Sequence, residues 1–143
     1  ARFDEFDIHK KMWTIPADKM KVRKKHKVPL SDEAISIIEL MRKKHNHEYV
    51  LTNPATGRHI SNGAMLIFLK KQFPHLEITV HGFRSSFRDW AEEIGQYQHN
   101  AIEFCLAHEL PNKVEKAYLR TDLIEQRTKI MNDWEKYLLS KLA

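Results

Sequence analysis

The stretch HGFRSSFRDWAEE, residues 81–93, sets His81 and Arg84 three apart. In a helix that spacing puts both on one face, and a helix that only packs has no need of two potential cations at its start. Phe83, Phe87, Trp90 and Ala91 take a different face and are predicted to anchor the helix in the core. Downstream, LAHELPNKVEKAYLR, residues 106–120, carries His108 after an apolar helix. Tyr118 follows ten residues later, flanked by Lys113, Lys116 and Arg120. Upstream, six Lys or Arg fall between Asp18 and Lys27. Among them Lys19, Lys21 and Arg23 alternate, so in a strand they share one face; Lys24 and Lys25 come next. Each pattern has a plainer reading. H-x-x-R is short and describes a solvated His and Arg equally well. A basic turn can be an exposed edge whose lysines block aggregation. A tyrosine can be a core residue with its hydroxyl at the surface, as Tyr49, Tyr97 and Tyr137 could each be.

The elements that must position these residues are mostly helical. MWTIP (12–16) and HKVPL (26–30) are apolar and β-branched, each with a proline near its end, and predict two strands of a hairpin with a cationic tip. Ser31, with Asp32 and Glu33 in the first turn, starts a helix whose stripe is Ala34, Ile37, Ile38 and Met41. Tyr49–Leu51 reads as a brief extended piece, and Asn53-Pro54 with Thr56-Gly57 as a turn. Ser61 is predicted to cap a second helix with Met65, Leu66 and Leu69 on its apolar face, ended by Pro74. A third helix covers about 81–94 and a short one about 100–107. Asn112 and Glu115, spaced as a variant capping box, predict another through Tyr118. A last helix starts at Thr121 and Asp122, with Leu123, Ile130, Trp134, Tyr137 and Leu138 as its apolar positions. The fold class is therefore mainly α with a small antiparallel β-hairpin (α+β).

With 143 residues, the chain is one domain at most. Its 42% hydrophobic and 30% charged content fits a soluble globular protein. No run of 18 apolar residues suggests a membrane span, and no signal-peptide pattern opens the chain. The single cysteine, Cys105, allows no internal disulfide and fits a reducing cytoplasm. It lies in an apolar helix and reads as a small buried hydrophobe rather than a nucleophile. His45 and His47 lack the Cys or acidic neighbours of a metal site, and no phosphate-loop, dinucleotide, zincin or nucleophile-elbow motif occurs. The net charge of +5 and pI near 9.3 make nucleic acid a candidate partner.

Taken in order, the basic hairpin, H-x-x-R, histidine and tyrosine resemble the catalytic domain of the tyrosine recombinases, the phage-integrase family. MWTIPADKMKVRKKHKVPLS resembles the family's strand–basic turn–strand, ending in V-P-L. HGFRSSF resembles its H-x-x-R helix, LAH its Leu-small-His turn, and NKVEKAYLR its nucleophile helix. The resemblance covers essentially the whole chain, residues 1–143, and is closest to the integrases carried by prophages and genomic islands.

That resemblance implies a site-specific recombinase acting on double-stranded DNA attachment sites from the bacterial cytoplasm. Full-length sister protomers would assemble as a tetramer. Tyr118 would be the nucleophile, forming a 3′-phosphotyrosyl link and freeing a 5′-hydroxyl. Arg84 would bind the non-bridging oxygens, and His81 and His108 would donate hydrogen bonds to the phosphate or handle the proton of Tyr118. Lys21 would be the general acid for the 5′-oxygen, with Lys19 as runner-up. Lys19, Arg23, Lys24 and Lys25 would hold DNA. The residue types suit the chemistry. A phosphodiester transition state gathers charge on its equatorial oxygens, which the planar guanidinium forks onto. With enough cationic and imidazole donors no metal ion or other cofactor is needed. The family's pattern also has an arginine upstream, beside a glutamate on a helix. ARFDEFD resembles the segment just after it, and Arg2 does not sit in that pattern. The resemblance thus implies an N-terminally truncated catalytic domain, its cleavage reduced by about 10²–10³ for one lost donor. Two other readings stay open: a DNA-binding module without chemistry, and a type IB topoisomerase-like relaxer.

Overall fold

The computed structural model describes residues 1–108 and 122–142. Three short strands form an antiparallel sheet in the order β1-β2-β3: β1 Phe6–Asp7, β2 Met12–Ile15 and β3 His26–Pro29. The β2–β3 register pairs Met12 with Pro29 and Ile15 with His26, as the hairpin reading expects. β1 was not expected. It is two residues long and is held by Phe6 stacking on Trp13, ring centroids 5.4 Å apart.

The basic tip is not a pair of strand extensions. Pro16 begins a 3₁₀ turn, Ala17–Lys19, in which Lys19 and Met20 donate to the carbonyls of Pro16 and Ala17. A second reversal follows, from the Arg23 N–H to the Met20 carbonyl at 3.0 Å, with Arg23 at φ +52°. Strand alternation therefore does not apply to Lys19, Lys21 and Arg23. A 3₁₀ turn moves the side chain by about 120° per residue rather than 180°, so their common face is lost.

The helices are α1 Asp32–Lys44, α2 Ala64–Gln72, α3 Gly82–Asp89, α4 His99–Cys105 and α5 Ile124–Ser140. α3 continues through a π-helical turn, Trp90–Ile94. The helix expected through Tyr118 lies outside the described residues. Among the described residues, no helix is long and apolar enough to cross a membrane.

The core sits where α3, its π turn, α4 and α5 meet. Phe87, Trp90, Ala91, Ala101, Ile102, Leu106 and Ile130 are buried there. Trp134 stands edge-on to Phe87 with centroids 5.6 Å apart and lies 4.9 Å from Trp90, and Tyr137 joins the aromatic cluster. The last-helix stripe Leu123, Ile130, Trp134 and Tyr137 thus packs on its own domain; Leu138 is exposed. α5 is tied down twice more. The Tyr97 hydroxyl donates to Asp133 Oδ2 at 2.6 Å. Hydrogen bonds from Lys129, then from Tyr97, pull the Asp133 carboxyl down to about 2. Gly95 permits this, because a Cβ there would fall 2.3 Å from the Tyr97 ring. The Glu135 carboxylate accepts the Glu33 N–H, so a donor left over in the first turn of α1 is satisfied from α5.

Three apolar faces differ from the expected ones. Phe83 is 57% exposed, because the first turn of α3 projects past the core that Phe87 and Trp90 fill. Ile37 of α1 is exposed while Ile38 is buried. α2 buries no residue: Met65, Ile67 and Phe68 are exposed, and Leu66 and Leu69 are half-buried. Its N-cap is Gly63 rather than Ser61, whose carbonyl accepts the Ala64 N–H.

Candidate functional site

Arg84 stands in the first turn of α3, with its guanidinium aimed at the end of α4. Nη2 donates to the Leu106 carbonyl at 2.5 Å and to His108 Nε2 at 2.9 Å. The two residues that sequence spacing leaves 24 apart are therefore in direct contact. What brings them together is the turn that closes α4. The His108 N–H donates to the Glu103 carbonyl at 2.9 Å, and Ala107 takes the left-handed conformation at φ +55°. Left-handed backbone costs a non-glycine residue about 1–2 kcal/mol. The small residue in LAH keeps that cost low. Ala107→Gly should leave the melting temperature unchanged or higher, and Ala107→Val should lower stability by about 1–2 kcal/mol, as a thermal melt would report.

Behind His108 lies a charged relay. His108 Nδ1 is 2.9 Å from Glu103 Oε2. Arg88 Nη2 is 3.3 Å from Glu103 Oε1, and Arg88 Nε donates to Glu92 Oε1 at 3.2 Å. Arg88, unassigned by its spacing alone, therefore joins two carboxylates; the hydrogen bond it donates to Glu92 and then the charge of Glu103 raise its pKa further. His99 Nδ1 is 3.3 Å from Glu92. Donor atoms of Glu92, His99 and Glu103 lie within 4.8 Å of one another, a spacing a divalent cation could use. The Arg88 guanidinium already provides the positive charge between the carboxylates, so the group reads as an ion-pair cluster.

The basic turn reaches the same region from the other side. Lys24, Lys25 and His26 line a cavity of about 240 Å³ together with His108, Asp122 and Arg127. Lys21 and Arg23 are exposed on the turn and do not line it. Lys19 pairs with the buried carboxylate of Glu5, which also accepts from Trp13 Nε1 at 3.0 Å. Burial raises the Glu5 pKa, but the hydrogen bonds from Lys19 and Trp13 outweigh it and hold it below the usual range. His81 is exposed at the start of α3, and its carbonyl accepts the Arg84 N–H at 3.0 Å. Tyr118, with Lys113, Lys116 and Arg120, lies outside the described residues.

The chain is 35% identical over 136 residues to the prophage integrase IntA of Escherichia coli strain K12, covering 94% of this chain and 33% of that protein. It is 30% identical over 155 residues to the integrase of Enterobacteria phage P4, covering 96% of this chain and 35% of the relative. The chain is a homologue of the phage and prophage integrases. These belong to the tyrosine recombinase family, and the similarity extends over nearly the whole chain. The prophage integrase IntS of the same E. coli strain is 29% identical over 140 residues, covering 95% of the chain. The chain spans about a third of the length of these relatives. No family model and no solved structure matches it.

Two residues of this integrase homologue escaped the sequence reading. Glu103 is a charge inside the apolar run Ala101–Leu106, and that incongruity was its signal. Arg127 is only 1% exposed. It sits four after Leu123 and three before Ile130, on the apolar stripe itself. Its guanidinium donates to the Lys27 carbonyl and, at 3.3 Å, to that of Asp122, which fastens β3 to the start of α5. Cys105 is half-buried beside it, and burial pushes its thiol pKa up, as suits a packing residue.

Proposed function

We propose that the chain is the strand-breaking and rejoining part of a site-specific DNA recombinase of a mobile element, built on the tyrosine recombinase catalytic-domain fold. The observation that carries this reading is the hydrogen bond between Arg84 and His108. Two residues of the family's pattern, far apart in the chain, meet with their polar atoms 2.9 Å apart. The cationic turn reaching the same cavity supports it. Lys24, Lys25 and the exposed Lys21 and Arg23 offer sequence-independent contacts to a DNA backbone, whose affinity falls steeply with salt.

The chemistry follows from the residue types. The Tyr118 hydroxyl attacks a backbone phosphorus; the new bond is Oη–P, and the bond that breaks is P–O5′. The phenolic proton leaves for a histidine nitrogen, and the departing 5′-oxygen takes a proton from a lysine. A tyrosine hydroxyl titrates near about 10, so it needs that help to attack at neutral pH. Arg84 stabilises charge on the non-bridging oxygens. The phosphotyrosyl ester conserves the energy of the broken bond, so a new 5′-hydroxyl reseals the strand without a nucleotide cofactor. Of the two lysines, Lys21 suits the acid better. Lys19 is committed to Glu5, whereas Lys21 is exposed and makes no ion pair among the described residues.

A nicked suicide duplex carrying the attachment site tests the reading. The full-length protein should become covalently attached to it, and Tyr118→Phe should yield no adduct. A wild-type protein that binds but never attaches is a binding module, and an adduct that survives in Tyr118→Phe overturns the nucleophile.

A further inference from the structure

Glu103 is a carboxylate on the buried side of α4, among Ala101, Ile102 and Leu106, and the residue is only 7% exposed. Burying a charge there is costly unless it is paired. Its oxygens are divided between two partners. Oε2 meets His108 Nδ1 at 2.9 Å, and Oε1 faces Arg88 at 3.3 Å. The second contact lacks hydrogen-bond geometry, since Oε1 has no hydrogen-bond partner; Arg88 acts on it as a charge.

The partners at the two ends of His108 leave little freedom to its protons. An ionised carboxylate only accepts, so the proton between Glu103 and His108 belongs to Nδ1. A guanidinium only donates, so the 2.9 Å contact from Arg84 requires a lone pair on Nε2. We propose that Glu103 is a positioning residue that fixes His108 in the neutral Nδ1–H tautomer, keeping Nε2 as the hydrogen-bond acceptor that holds the Arg84 guanidinium, with Arg88 holding Glu103 in place.

This rests on the recombinase reading and sharpens it. With Nδ1–H given to Glu103 and the Nε2 lone pair given to Arg84, the part of His108 is to aim the Arg84 guanidinium. A carboxylate that fixes the tautomer of a histidine is a solution reached on unrelated folds.

The test combines a spectrum with a rate, both on the full-length protein. Ring nitrogens are ¹⁵N-labelled, and His108 is assigned by its absence in His108→Gln. In the wild type at a pH where the ring is neutral, Nδ1 should show the protonated shift and Nε2 the unprotonated one. Glu103→Ala should lose this pattern for a mixture or the opposite tautomer, and by freeing Arg84 should slow covalent attachment to the suicide duplex by about 10²-fold with DNA affinity unchanged. Glu103→Gln keeps an acceptor oxygen, so the tautomer should survive while attachment slows less. This variant guards against a general loss of fold in the alanine form. A wild-type His108 protonated on Nε2, or a spectrum and rate unmoved by Glu103→Ala, overturns the proposal. The spectrum needs no DNA. A wild type with the Nδ1–H tautomer and no adduct would refute the recombinase reading and the catalytic consequence, while the Glu103–His108 assignment would stand on its own result.

Discussion

In the full-length protein, Arg84→Ala should lower the rate of covalent attachment to a suicide duplex by about 10²–10³ and shift the melting temperature only slightly. The loss follows from what the guanidinium does at each end. Nη2 is engaged by the Leu106 carbonyl and His108, which fixes the group in direction. Nη1 and Nε carry three further N–H donors, without hydrogen-bond partners among the described residues. Those remain to meet phosphate oxygens, and a donor already oriented before reaction is what gives such groups their effect. The stability change is small because Arg84 is exposed and its contacts here are to one carbonyl and one imidazole. Arg84→Lys should recover little of the rate. A single ammonium cannot grip Leu106, His108 and a phosphate in one plane. Single-turnover kinetics read the first effect and a thermal melt the second. A rate within threefold of wild type in Arg84→Ala would remove Arg84 from the phosphate site.

What could be read from the sequence was whatever a local pattern specifies. The β2–β3 hairpin follows from two short β-branched runs with prolines near their ends, α1 from apolar spacing and first-turn carboxylates, and α3 from apolar spacing. The H-x-x-R, LAH and NKVEKAYLR segments carried the family because their spacing is itself the signal. What was missed depends on partners distant in the chain. β1 is too short to have a period and exists because Phe6 finds Trp13. The basic tip looks strand-like by alternation, but Pro16 turns it into a 3₁₀ reversal. Phe83 and Phe87 are equally apolar, and only the position of α5 decides that one is covered and the other is not. Glu103 and Arg88 gain their roles from His108, which the left-handed Ala107 brings back against α4. In each case the residue type was legible and its neighbour was not.

Arg127→Ala should cost about 2–4 kcal/mol of folding stability, more than any surface charge in the chain. The guanidinium is buried and bridges two carbonyls, those of Lys27 and Asp122. Truncation leaves both without that donor, at about 1–3 kcal/mol for an unsatisfied buried group, and opens a void beside the buried Ile130. The substitution should also change how stability responds to pH. Burial, then the charge of Arg127, lower the His26 pKa, against a smaller upward pull from Asp122. His26 is thus protonated less readily in the folded chain than in the unfolded one, which titrates near 6.5. Where the unfolded chain binds more protons, stability rises with pH. The His26 contribution is therefore fully present above the unfolded pKa and is lost as pH falls through about 6.5 toward the lower folded value. Removing Arg127 takes away one of the two causes of that depression and opens the site to water, which weakens the other. Urea melts between pH 8 and pH 5 should show the wild type losing stability over that interval, and Arg127→Ala losing less, from a lower starting point. Arg127→Met separates the two effects. It refills most of the volume without a charge, so part of the stability should return while the flattened pH response remains. Equal pH slopes in all three proteins would mean that His26 does not sense Arg127.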